Sequence, residues 1–84
     1  MNKFLLNIGF GNSVTKSDVT AIVQPNSAPI KRFIRKKNEE GLVIDSTMGK
    51  KLRSIIVLSS GFVVLSAISA VVIQARFEEN KNLS

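Results

Sequence analysis

A chain of 84 residues has room for one domain, and a domain this small buries only about 60% of its unfolded surface when it folds alone. The absence of cysteine and histidine excludes disulfides and the two commonest zinc ligands as a remedy, which leaves oligomerisation or a membrane. Twelve basic residues against six acidic ones give a net charge of +6, a balance that suits phosphate or an anionic lipid surface.

The same composition argues against catalysis. Serines are plentiful, but histidine, the usual base beside a nucleophile, is missing. The acids are Asp18, Glu39, Glu40, Asp45, Glu78 and Glu79, and neither consecutive Glu pair shares a helix face as a catalytic dyad would. The expectation is a protein that is not an enzyme, with no cofactor, no metal and no small-molecule substrate. The charge is also uneven: eight basic and three acidic residues lie between Lys31 and Arg53.

Along the chain, residues 1–12 carry one lysine and the short run Phe4-Leu5-Leu6, with no small-residue cleavage site before Ala21, so a signal peptide is not expected. Phe4 to Phe10 reads as a first strand ending in the turn Gly9-Phe10-Gly11-Asn12. Gly9-x-Gly11 lacks the third glycine and the lysine of a phosphate loop, which makes it a structural turn. Val19 to Gln24 is a second strand, stopped by Pro25.

A helix follows, with Ser27 as N-cap, Pro29 in its first turn and Gly41 as its stop. Ile30, Phe33 and Ile34 share one face, while Arg32, Arg35 and Lys36 form a basic outer side; for these three and Lys37 an exposed basic helix face, not a DNA contact, is the expectation. Leu42 to Asp45 has room for one strand. Ser46 to Lys51 is an exposed loop tipped by adjacent lysines. The five phenylalanines read as core or subunit-contact residues, and residues 80–84 as a flexible tail after a single domain over 4–79.

Ser54 to Ala75 runs 22 residues without a charge, enough for a helix to cross a hydrocarbon layer about 30 Å thick. Lys50, Lys51 and Arg53 would then hold the N-terminal side in the cytoplasm. The alternative divides it into a strand Ser54–Ser59, a turn at Ser60-Gly61, a strand Phe62–Ala67 and a helix from about Ser69, whose apolar side would include Ala70, Val71, Ile73, Phe77 and Leu83. The hydrophobic pattern leaves both readings open.

Certain strings are more specific. Asn7-Ile8-Gly9-Phe10-Gly11-Asn12, Ser27-Ala28-Pro29-Ile30-Lys31-Arg32, Ile44-Asp45 with Thr47, Gly49-Lys50-Lys51 with Arg53, and Leu65-Ser66-Ala67 resemble the RemA family of bacterial biofilm-matrix regulators in order and spacing over roughly residues 4 to 70. The resemblance implies an α+β fold: a small antiparallel β-sheet with one helix after the second strand and a C-terminal helix, assembled into a ring-shaped homo-oligomer. It implies a cytoplasmic DNA-binding activator of extracellular-matrix genes rather than a membrane-spanning chain. It also implies contacts to double-stranded DNA from Lys50, Lys51 and Arg53, where the family usually has two arginines at the first two positions. Where the family tends to present an arginine after the first strand, this chain has Asp18, and Lys16 is the nearby cation that could take its place. An oligomeric structural protein that ignores DNA is the remaining alternative.

Overall fold

The computed structural model describes residues 4–79, so the expected tail at 80–84 and Leu83 lie outside the described residues. The elements in order are β1 (Leu5–Gly9), β2 (Asn12–Thr15), a short 3-10 helix (Lys16–Asp18), β3 (Val19–Val23), α1 (Ala28–Glu39), β4 (Val43–Asp45), β5 (Ser54–Leu58), β6 (Val63–Ser66) and α2 (Ala70–Glu78). This is a small α+β protein with two sheets and two helices.

The first sheet is the β1–β2 hairpin, and the second has the order β3-β5-β6-β4. In the second sheet β5 pairs antiparallel with β3 and β6, but β4 pairs parallel with β6. The expected purely antiparallel sheet is therefore corrected to a mixed one. The cause is α1: twelve residues of helix travel about 18 Å, return the chain to the end where β3 began, and so start β4 in the direction of β3 and β6. The helix also follows the third strand rather than the second, because Asn12–Thr15 forms a strand that its short, polar composition conceals.

The register aligns Ile22, Ile56, Val64 and Ile44 in one row across the larger sheet. On this face Leu6 and Ile8 of β1 and Ile73 of α2 close over Ile56 and Val64 to form the core. Burying each such side chain contributes about 1.5–3 kcal/mol. Ile55 and Val63 point to the opposite face by strand alternation and are also fully buried. Helix α1 packs on β4 and buries none of its residues completely.

Local signals explain the helix ends. Ser27 Oγ accepts from the Ile30 N–H and Ser69 Oγ from the Val72 N–H, so each helix has a serine N-cap. At the far end of α1 the Leu42 N–H donates to the Lys37 carbonyl and the Gly41 N–H to that of Asn38, a Schellman closure that places Gly41 at φ +75°.

The apolar stretch from Ser54 to Ala75 is shared among β5, β6 and most of α2, and among the described residues no helix is long and apolar enough to cross a membrane. The hairpin reading holds, with β5 ending one residue earlier than expected and β6 shorter by one residue at each end. Within α2, Ala70, Ile73 and Phe77 face the core, but Val71 is exposed. None of the five phenylalanines is fully buried, and Phe4 and Phe10 are exposed.

Candidate nucleic-acid interface

The strand directions give the molecule two ends. At one, here termed the loop end, β3, β4 and β6 finish and β5 begins; at the other, the turn end, β5 and β6 are joined by residues 59–62. Everything that carries Lys50, Lys51 and Arg53 lies at the loop end.

The loop is built from β4 outward. The Ser46 N–H donates to the Leu65 carbonyl at 3.0 Å and its hydroxyl donates to the same oxygen. Asp45 Oδ1 accepts from the Thr47 N–H at 2.9 Å and from the Thr47 hydroxyl at 2.7 Å. Thr47 is buried, and its carbonyl accepts from the Lys50 N–H at 2.9 Å. With Met48 at φ +54° and Gly49 at φ +79°, residues 47–50 form a type I′ turn, whose second central position suits glycine. At its first central position Met48 accepts a left-handed backbone that costs a side-chain-bearing residue about 1–2 kcal/mol, and it is 71% exposed. The Arg53 N–H then donates to the Ser66 carbonyl at 2.9 Å, which seats the loop's second foot beside β6.

Lys50, Lys51 and Arg53 are all exposed, and among the described residues none of them forms an ion pair. Lys51 and Arg53 line a cleft of about 200 Å³ together with Asn26, Ser69, Ala70 and Val71. The cleft thus lies against the start of α2, where first-turn N–H groups lack partners within the helix and carry the positive end of its dipole. The start of α1 is at the same end, directly after the β3 residues paired with Ile55 and Ile56. The β1–β2 hairpin also points its turn there, since Ser66 Oγ donates to the Ile8 carbonyl at 2.8 Å.

The acids are distributed oppositely. The Asp18 carbonyl accepts from the Ser59 N–H, which places this residue at the turn end, and Glu39 and Glu40 lie there at the finish of α1. Glu78 and Glu79 close α2, away from its start. Only Asp45 is an acid at the loop end. Its carboxyl is held below its ordinary value of 3.8, first by the Thr47 hydroxyl and then by the Thr47 N–H.

The four residues expected to meet DNA are therefore not all brought together. Lys50, Lys51 and Arg53 share one surface, whereas Lys16 is half-buried in the 3-10 helix at the turn end, beside Asp18. Going from Arg53 along β5 to Ser59 spans roughly 20 Å, so Lys16 does not join the loop. On α1, Lys37 pairs with Glu40 at 3.8 Å and lies over the Phe33 ring at 5.7 Å, also toward the turn end.

Sequence reasoning missed Asp45 and Thr47 as loop supports, although Asp-x-Thr carries the signal of a side-chain-closed turn. It also missed the apposition of Ser69 to Arg53. The helix start near Ser69 is expected from the sequence, but its place beside a basic loop depends on β5–β6 pairing. Among the described residues no group of three or more His, Cys, Asp or Glu could hold a metal ion.

The family model for RemA-like proteins, described as extracellular matrix regulatory protein A-like, matches residues 5–77. A "Putative regulatory protein" of Dictyoglomus turgidum is 50% identical over 74 residues, covering 88% of this chain and 87% of the relative. A relative of the same name from Alkaliphilus metalliredigens is 52% identical over 68 residues, covering 81% and 73%, and one from Gloeothece citriformis is 49% identical over 79 residues, covering 94% and 90%. A match over nearly the whole described chain, joined to relatives of about its own length, shows that this chain belongs to the RemA-like family.

Proposed function

We propose that the protein is a DNA-binding transcriptional regulator, an activator of extracellular-matrix genes, that works in the cytoplasm as a ring-shaped homo-oligomer and contacts DNA phosphates through its loop end. The regulatory part rests on the family description and on the relatives' names. The observation that carries the DNA part is the separation of charge: Lys50, Lys51, Arg53 and the starts of both helices share one end, while five of the six acids lie away from it.

Repetition supplies the affinity. Three exposed cations on one protomer hold a duplex weakly, but a closed ring presents the same loop many times and makes each later contact intramolecular. Ile44 and Met48, both exposed, line one hollow with Val14 and Leu58, an apolar surface that supports self-association. Lysine neutralises phosphate without the planar fork by which arginine grips it twice, so binding depends chiefly on charge, and selectivity falls to DNA bendability and site spacing.

The test is duplex binding followed by fluorescence anisotropy at two salt concentrations, with oligomer mass measured by light scattering. Between roughly 50 and 200 mM salt the wild type should lose about 10³-fold in affinity, as expected when about six or more phosphates are contacted. Lys50→Ala with Lys51→Ala should weaken binding and flatten the salt slope. An oligomer that binds no duplex at low salt contradicts the reading and leaves a structural assembly in its place.

A further inference from the structure

The loop end holds one residue that simple electrostatics would not put there. Asp45 carries a negative charge five residues from Lys50, at the edge of a surface otherwise made of cations and helix starts. Its carboxylate nevertheless has specific work within the loop. A single oxygen, Oδ1, takes both the N–H and the hydroxyl of Thr47, at 2.9 and 2.7 Å. Thr47 is only 5% exposed, so its position is set from both sides, by the carboxylate and by packing. The Thr47 carbonyl then takes the Lys50 N–H. These hydrogen bonds form a continuous path from the end of β4 to the first of the paired lysines.

The turn so closed is not one this sequence would adopt freely. Met48 stands at φ +54°, a conformation that favours glycine or asparagine over a residue with a longer side chain. Without the clamp, the residues between Thr47 and Lys50 gain alternative conformations, and a phosphate contact made from them must first order the backbone.

We propose that Asp45 is a positioning residue for DNA binding: through Thr47 it fixes the turn that presents Lys50 and Lys51. This role rests on the DNA reading above, and its expected effect is opposite in sign to that of charge alone. Deleting an acid about 10 Å from a phosphate should tighten binding by about twofold through Coulomb repulsion in water, whereas deleting a clamp should weaken it by about tenfold, because the ordering of the turn then opposes the binding step.

The test compares Asp45→Ala, Asp45→Asn, Thr47→Val and Thr47→Ser in the full chain, with two readouts: affinity for a fixed duplex and hydrogen exchange at the Lys50 amide. Asp45→Ala and Thr47→Val should each bind about tenfold more weakly and lose protection at Lys50. Thr47→Ser, which keeps the hydroxyl, and Asp45→Asn, which keeps the acceptor oxygen, should stay close to wild type in both. Should Asp45→Ala fail to fold, Thr47→Val carries the same comparison, since valine matches threonine in shape at a buried position.

Equal or tighter duplex binding by Asp45→Ala, with Lys50 still protected, would overturn the positioning role and leave the DNA reading standing. A wild-type protein that binds no duplex overturns both. In that case the exchange readout still shows whether Asp45 fixes the turn.

Discussion

The loop end and the turn end of this molecule are held together differently. At the turn end the chain closes mainly through backbone, Ser59 to Asp18, Leu58 to Phe62, Val63 to Leu42 and Leu42 to Lys37, with side chains entering at Ser60, whose Oγ accepts from the Phe62 N–H at 3.4 Å, and at the Lys37–Glu40 pair. At the loop end side chains do much of the closing, with Ser27, Asp45, Ser46, Thr47, Ser66 and Ser69 each bonding to nearby groups. The difference follows from what each end contains. Both helices begin at the loop end, where serine caps take free N–H groups, and the Asp45–Thr47 bonds close a turn that runs through the left-handed backbone of Met48 and Gly49.

Substituting glycines at the two ends gives the largest separation. A Cβ at Gly9 would stand 2.9 Å from Ile68 Cγ1 on a backbone at φ +104°, whereas one at Gly61, at φ +97°, would meet nothing closer than 4.0 Å. Gly9→Ala should therefore cost about 2–4 kcal/mol, clash added to backbone strain, and Gly61→Ala about 1–2 kcal/mol. Urea unfolding measures both. Equal losses would mean that the close approach of the hairpin to the start of α2 is not a structural constraint.

A smaller effect separates two serines that face each other across β5 and β6. Ser66 Oγ donates to the Ile8 carbonyl and accepts from the Ile68 N–H, tying hairpin, sheet and the approach to α2 into one unit. Ser54, its register partner, is equally buried, but its hydroxyl has no hydrogen-bond partner among the described residues. Ser66→Ala should cost about 1–3 kcal/mol, and Ser54→Ala should be neutral or stabilising by about 1 kcal/mol. The same unfolding experiment checks the contrast, and a costly Ser54→Ala would break it.

Acid should have the mildest consequence. Because the Asp45 carboxyl sits below 3.8 in the folded protein, its contribution is complete above the unfolded value and is lost as pH falls through the lower folded value. The Thr47 amide shift followed by NMR should stay flat from about pH 8 to 5 and move only in stronger acid. A midpoint above 3.8 would show that the carboxylate is not held as the geometry requires.

Much of the fold is legible in the residues. Ser27, Pro29 and Gly41 mark α1 because capping and helix stops are local chemistry. The pair Ser60-Gly61 marks the β5–β6 turn inside an apolar stretch long enough for a membrane span, and the specific strings around it point to the family. Three features are not legible, for one shared reason. The β2 strand is recognisable only beside β1, the parallel partner of β4 is chosen by the return path of α1, and Lys16 is separated from Lys50 by strand directions. Each depends on pairing across the chain, which hydrophobic period and composition do not encode. The Asp45 clamp is the exception. Its Asp-x-Thr spacing is local and carries the signal of a side-chain-closed turn, but the path onward to Lys50 runs through the left-handed backbone of Met48 and Gly49, which that spacing does not encode.

The central claim is that DNA is met by the loop end and not by basic charge in general. Its most direct test compares two double substitutions of equal charge, Lys50→Ala with Lys51→Ala and Lys36→Ala with Lys37→Ala, by the slope of log affinity against log salt on one duplex. The loop-end pair should reduce the slope by about 0.9 for each phosphate that a bound subunit no longer neutralises, and the α1 pair should leave it near wild type. Equal reductions, or a change confined to the α1 pair, would contradict the account.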